Sequence, residues 1–138
     1  NDSEHEIEEM TQWIVENLGP DVPVHFTAFH PDWKMMDVPN TPPETLVRAR
    51  EIAMKAGIRY AYTGNVHDKE HQSTYCHECG EVLIGRDWYE LSDFNVTTEG
   101  NYPGNCKSCG AEIPGRFDGP AGDWGRKRMP LRFQRRST

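Results

Sequence analysis

All four cysteines of the chain sit in two couplets, Cys76-His-Glu-Cys79-Gly80 and Cys106-Lys-Ser-Cys109-Gly110, separated by 26 residues. Two Cys-x-x-Cys knuckles offer four thiolates to one tetrahedral ion, the layout of a structural zinc site. The glycine after each second cysteine can take positive φ, so the chain curls back and turns its backbone N–H groups toward the sulfurs. Thiolates bind zinc tightly enough that a ribbon of roughly 45 residues with almost no core can fold around the ion.

Iron is the alternative metal, because rubredoxin-like knuckles of similar spacing carry one-electron transfer. The sequence does not supply the packed aromatic core that would shield a redox iron, which favours zinc. A thiol–disulfide site fits less well, since neither couplet opens a helix whose dipole would lower a thiol pKa.

A second concentration of reactive side chains is His25-Phe-Thr-Ala-Phe-His30-Pro-Asp32-Trp33-Lys34. In α/β folds ligands gather at the carboxyl ends of strands, and His30, Asp32 and Lys34 lie just past such an end. His30 is the candidate ligand-binding residue. The duller alternative is that His30 and Asp32 pair and pin a loop. Asn65, closing the next strand at the same end, is a weaker candidate. His67 and His71 stand four apart, but Asp68-Lys69-Glu70 between them shows no helical face that would align them for a metal.

The elements that must position these residues are legible from period and punctuation. Ser3 and Glu6 form a capping box, Ile7, Met10, Ile14 and Leu18 recur at helical spacing, and Gly19-Pro20 ends the run. Val22, Val24, Phe26 and Ala28 alternate, predicting a strand over about 22–29, with Pro23 tolerated at its start. Thr41-Pro42-Pro43-Glu44 reads as a second capping box with Pro at the first helical position. Leu46, Ala49, Ala53 and Ala56 give that helix a narrow face, and Gly57 closes it. Ile58, Tyr60 and Tyr62 then alternate as a second strand.

Helix, strand, long loop, helix, strand is the order of parallel α/β architecture, with the two strands as neighbours. Two strands cannot bury both faces of a parallel sheet or close a barrel. The remaining strands are therefore expected from elsewhere, and the opening Asn1-Asp2-Ser3, without a Met, points the same way. Residues 67–75 read as a polar linker. Residues 76–118 read as a ribbon of short strands, Val82-Leu83-Ile84, Trp88-Tyr89-Glu90-Leu91 and Phe94-Asn95-Val96.

The 138 residues allow one ordinary domain or two small ones. With 36% hydrophobic residues and a mean hydropathy of -0.81, the core is modest, and no apolar run is long enough to span a bilayer. No signal peptide is visible, and couplets in metal spacing with no cysteine left over point to a reducing cytoplasm. The net charge of -7 is uneven: all 22 acids precede residue 126, whereas the last 13 residues carry six basic side chains and no acid. Such a tail could touch nucleic acid. An acidic body offers a nearer counter-charge, with Met129, Leu131 and Phe133 packing inward.

Several stretches together resemble one known family. They are Asn1-Asp2-Ser3 with the acidic helix, Gly19-Pro20-Asp21-Val22-Pro23 through Phe29-His30-Pro31-Asp32 and Lys34-Met35, Thr41-Pro42-Pro43-Glu44-Thr45-Leu46, Tyr62-Thr63-Gly64-Asn65-Val66, the doubled Cys-x-x-Cys-Gly ribbon, and Gly119-Pro120 with Trp124-Gly125-Arg126. The combination resembles the AmmeMemoRadiSam system radical SAM protein, within the radical S-adenosylmethionine enzymes of the pyruvate formate-lyase activating type. It covers essentially the whole chain.

The resemblance implies that residues 1–66 are the last two β/α units of a partial (β/α) barrel, 67–118 a zinc ribbon and 119–138 a basic tail. It implies an enzyme that reductively cleaves S-adenosylmethionine on a 4Fe-4S cluster, with His30 matching the histidine that helps hold S-adenosylmethionine. Because the ribbon follows the final strand, it is expected to cover or position a protein or peptide substrate over the barrel mouth. The C-x3-C-x2-C cluster motif is missing, so this chain alone is expected to be inactive and to need the amino-terminal barrel as partner. Two other expectations stand beside it: a non-catalytic zinc-ribbon binding module, and rubredoxin-like electron transfer.

Overall fold

In the computed structural model, residues 2–100 and 103–117 are described. Helix α1 (Glu4–Leu18) starts where the Ser3 Oγ accepts from the Glu6 N–H at 3.4 Å and donates to the Glu6 carboxylate at 2.8 Å. It ends at Gly19, whose φ of 90° lets its N–H reach back to the Ile14 and Val15 carbonyls. The buried stripe is not the expected one. Ile7 and Thr11 are buried and Ile14 and Val15 half-buried, whereas Met10 and Leu18 are exposed. Thr11 can face inward because its hydroxyl is satisfied by the Ile7 carbonyl at 2.8 Å, which removes the cost of burying it.

Strand β1 (Val24–Thr27) and strand β2 (Ala61–Gly64) pair in parallel, Val24 opposite Ala61 and Thr27 opposite Gly64. Both are shorter than the alternation predicts. Pro23 has no N–H to give the ladder. At the other end, Thr41 closes the 30–40 loop by donating its N–H to the Phe29 carbonyl and accepting the Phe29 N–H on its hydroxyl. That second bond corrects the capping-box expectation for Thr41. Pro42 caps helix α2 (Pro43–Ala56) without a side-chain bond, because the threonine hydroxyl is already committed to the loop. Gly57, at φ 109°, ends α2 in the left-handed conformation.

Helices α1 and α2 cover one face of this sheet. Ala53, Ile58 and Ala61 form its core, with Ile14, Val15, Val24 and Phe26 packed around them. Ala49 and Ala53 are nearly inaccessible at 3% and 0%, as a helix lying close on a sheet requires. The opposite face, carrying His25 and Thr27, is exposed.

The segment read as a linker contains a short helix, α3 (Lys69–Gln72), and strand β3 (Thr74–Tyr75). Asp68 creates the helix: its carboxylate caps the His71 N–H at 3.2 Å and bonds His71 Nδ1 at 2.7 Å. Strand β3 leads an antiparallel sheet with β4 (Val82–Asp87) and β5 (Glu90–Phe94). Trp88 and Tyr89, expected in a strand, instead form the two-residue turn between β4 and β5. A second core of Tyr60, Cys76, Leu83, Val96, Cys106 and Ile113 joins the end of the first unit to the ribbon.

The chain is a mixed α/β protein, and among the described residues no helix is long and apolar enough to cross a membrane. The basic tail of 119–138, with the apolar residues proposed to pack from it, lies outside the described residues. Ile58→Ala should lower the unfolding free energy by about 2–5 kcal/mol by emptying a site under the sheet. Met54→Ala, on the exposed side of α2, should change it by no more than about 0.5 kcal/mol. Equilibrium urea unfolding of the metal-loaded chain measures both, and equal losses would contradict this packing.

Candidate metal centre and its surroundings

The two knuckles repeat one local design. In the first, the Cys76 N–H donates to the Glu81 carbonyl at 2.8 Å and the Gly80 N–H to the Cys76 carbonyl at 2.9 Å. In the second, the Cys106 N–H donates to Ala111 at 2.8 Å and the Gly110 N–H to Cys106 at 2.8 Å. The flanking residues pair alike, Tyr75 with Val82 and Asn105 with Glu112. Gly80 and Gly110 take φ of 74° and 79°, the left-handed turn expected after each couplet.

These turns bring all four sulfurs within 4.8 Å of one another. Cys76 Sγ lies 3.7 Å from Cys109 Sγ and Cys79 Sγ 3.8 Å from Cys106 Sγ, too far for a disulfide and suited to the edges of a small tetrahedron. Cys76 and Cys106 are buried at 2% exposure each, while Cys79 and Cys109 face solvent. One side of the site is thus sealed by the ribbon core and the other is open for an ion to enter.

The electrostatics fit a cation. Backbone N–H groups of Cys109 and Ser108 lower the Cys106 thiol to about 7 against the opposing effect of burial. At Cys79 the Glu81 N–H favours the thiolate, but desolvation and the three neighbouring cysteines outweigh it and push the thiol up to about 12. Cys109 is also raised: the Ala111 N–H and Cys79 pull it down, and burial, Cys76 and Cys106 overcome them. One thiolate forms readily and the next ones repel it. A divalent ion removes that repulsion, so the donor set fits a metal held by Cys76, Cys79, Cys106 and Cys109.

The first knuckle is anchored to the α/β unit by side chains that the pattern of the sequence did not single out. The buried Tyr60 hydroxyl shares a hydrogen bond of 3.1 Å with His77 Nδ1. Burial, helped by Asp21, raises this phenol to about 12, so it stays a neutral hydrogen-bonding group. The Tyr62 hydroxyl meets Thr74 Oγ1 at 2.9 Å, and Arg86 Nη1 donates to the same oxygen at 2.6 Å. A signal for Tyr60 and Tyr62 was present, since alternate tyrosines on a strand need polar partners. For Arg86 and His77 there was none.

The histidines expected near a ligand are dispersed. His30 is exposed at the carboxyl end of β1, as its position implied, but it does not pair with Asp32. Asp32 accepts the Trp33 N–H on its own side chain at 2.7 Å, a local turn that leaves no reason to reach His30. Lys34 stacks over Trp33, with Nζ 4.5 Å from the ring centroid. Asn65, at φ 59°, donates to the Ala28 carbonyl at 3.4 Å and ties the two strand ends together. His67 and His71 are not brought together as ligands. His67 accepts from the Trp88 indole at 2.9 Å, and His71 is held by Asp68.

No family model matches the chain, and no solved structure matches it. It is similar to an uncharacterized protein of Methanocaldococcus jannaschii, 40% identical over 113 residues. That alignment takes in 82% of this chain but 33% of the archaeal protein, so the chain spans about a third of the length of the curated relative it matches.

Metal loading should release protons and strengthen with pH. Below about 7 Cys106 is protonated, and the raised Cys79 and Cys109 thiols are too, so apparent affinity should fall steeply as the solution is acidified. Competition against a chromophoric chelator across pH 6–8 reads this out, and a pH-independent affinity would contradict a thiolate site. Cys106→Ser and Cys79→Ser should each abolish stoichiometric binding of one ion per chain.

Proposed function

We propose that this chain is the carboxyl-terminal part of a radical S-adenosylmethionine enzyme, two closing β/α units of a partial barrel followed by a zinc ribbon. The observation that carries the proposal is the one-sided sheet. Parallel strands β1 and β2 are covered by helices on one face only, and the other face exposes His25 and Thr27. A parallel sheet is ordinarily buried on both faces, and in a barrel the inner face is enclosed by the remaining strands. The greater length of the archaeal relative supports a larger parent protein. So does the quoted series of motifs.

On this proposal the amino-terminal barrel, as partner, supplies the 4Fe-4S cluster and most of the S-adenosylmethionine site, and the cluster provides the electron for reductive cleavage. This chain contributes His30 at the barrel mouth as a cofactor-binding residue. The ribbon metal is zinc with a structural task. Its sulfurs are tied to backbone N–H groups and to the Tyr60 core, and the ribbon leans over the open sheet face where a protein or peptide substrate would lie.

The test uses the longer protein in which this chain is preceded by a C-x3-C-x2-C barrel. Stripping the ribbon metal, or Cys106→Ser, should abolish substrate modification while release of 5′-deoxyadenosine continues. Loss of both reactions would refute a positioning role for the ribbon. Failure of the 138-residue chain to bind a separately made barrel half would refute the barrel assignment. The metal-loaded ribbon should be colourless; visible absorption from an iron–thiolate site would overturn zinc.

A further inference from the structure

The uncovered face of the β1–β2 sheet carries His25 and Tyr62, whose rings stack with centroids 5.0 Å apart. The β4–β5 turn closes over this face and makes a cleft of about 410 Å³ bounded by His25, Tyr62, Asn65, Gln72, Arg86 and Trp88, with smaller contributions from their neighbours. Three features of this cleft are unusual for a surface depression.

Its charge runs against that of the chain. Among the described residues no acidic side chain lines this cleft, while an arginine and a histidine do, in a chain of net charge -7. Arg86 is half-buried yet has no carboxylate partner among the described residues. On β4 its side chain shares the face of Ile84 and reaches the sheet beside Tyr62. There Nη1 alone is engaged, donating to Thr74 Oγ1 at 2.6 Å and to the Gln72 carbonyl at 3.3 Å, while the guanidinium carbon sits 5.7 Å from the Tyr62 ring centroid. The Nε and Nη2 donors have no partner among the described residues, and a planar fork held in place is suited to a carboxylate.

The third feature is Trp88. It occupies the left-handed region at φ 55°, where a bulky side chain is disfavoured, in a tight turn that glycine or asparagine would fill without strain. Its indole is fixed there by donation to His67 Nδ1 at 2.9 Å. Strain of this kind persists where the surrounding structure holds it, and it clusters at ligand clamps. The result is a flat aromatic wall beside an arginine without an acid.

We propose that this cleft is a binding site for a carboxylate carried on a planar group, with Arg86, backed by Tyr62, gripping the carboxylate and Trp88 flanking the plane. All residues of the site belong to this chain, and it lies on the sheet face where the proposed function seats a protein or peptide substrate, so it deepens that reading, while binding by the 138-residue chain can be measured without the barrel. The carboxylate could belong to a small aromatic acid or to the terminal residue of a peptide; the same donors serve both.

The experiment is a titration of the isotopically labelled, zinc-loaded 138-residue chain, followed by NMR. The probes are phenylacetate, its neutral isostere phenylacetamide, and the tripeptide Gly-Gly-Phe with a free carboxyl terminus. Phenylacetate should give saturable shifts at the Arg86 Nε and Trp88 indole signals, and the amide should bind at least tenfold more weakly. Arg86→Gln should lose binding by at least tenfold with zinc content and signal dispersion unchanged, and Arg86→Lys should retain part of it. Tighter binding of the tripeptide would assign the carboxylate to a peptide terminus, and weaker binding to a small acid. Equal affinity for phenylacetate and its amide overturns the proposal without any variant, even if Arg86→Gln fails to fold. So does an absence of saturable shifts in the folded wild-type chain.

Discussion

Four sulfurs within 4.8 Å of one another are the constraint on which the second half of this molecule depends. Thiolates at that separation repel strongly, and protonated thiols leave the backbone donors aimed at them poorly used. A cation resolves both conflicts at once. The ribbon core is small, built on Leu83, Val96 and Ile113 around the buried cysteines Cys76 and Cys106. An ion held by the four cysteines would, with the knuckle turns, organise its short strands more than apolar burial does, and would let a segment this polar fold.

The same core explains why the ribbon does not hang freely from the α/β unit. Tyr60 lies at the junction, its ring among the ribbon's apolar residues and its hydroxyl on His77, one residue beyond the first ligand. Tyr62, two residues further, meets Thr74 and stacks beneath Arg86. Alternate positions just before and within β2 therefore perform the docking. Among the described residues no buried side-chain polar atom is left without a hydrogen-bond partner, so this junction is finished in detail.

What the sequence revealed and what it hid divide along physical lines. The gathering of the four cysteines, the helix start at Ser3, the glycine stops and the parallel pairing are local or periodic features, and each was legible. Three departures come from tertiary placement that local pattern and propensity do not report. Thr41 bonds Phe29 and so does not cap its helix. Thr11 turns inward because the helix rotates to place Ile14 and Val15 on the sheet, leaving Met10 and Leu18 outside. Trp88 occupies a turn position that its residue type disfavours, so propensity pointed to a strand. Arg86 was silent because its partners Thr74, Gln72 and Tyr62 belong to other elements, which the sequence of β4 does not report.

The bond between Tyr60 and His77 makes the metal knuckle and the sheet thermodynamic neighbours. A group that docks on the exposed sheet face and prefers the ribbon in its seated position stabilises the same arrangement that the ion stabilises. Linkage then requires reciprocity: whatever factor the ion adds to the grip of the cleft, an occupant of the cleft adds to retention of the ion. An ion held by the four cysteines would then be a thermodynamic effector as well as a scaffold, and its availability would bear on how tightly the face across the junction holds an occupant.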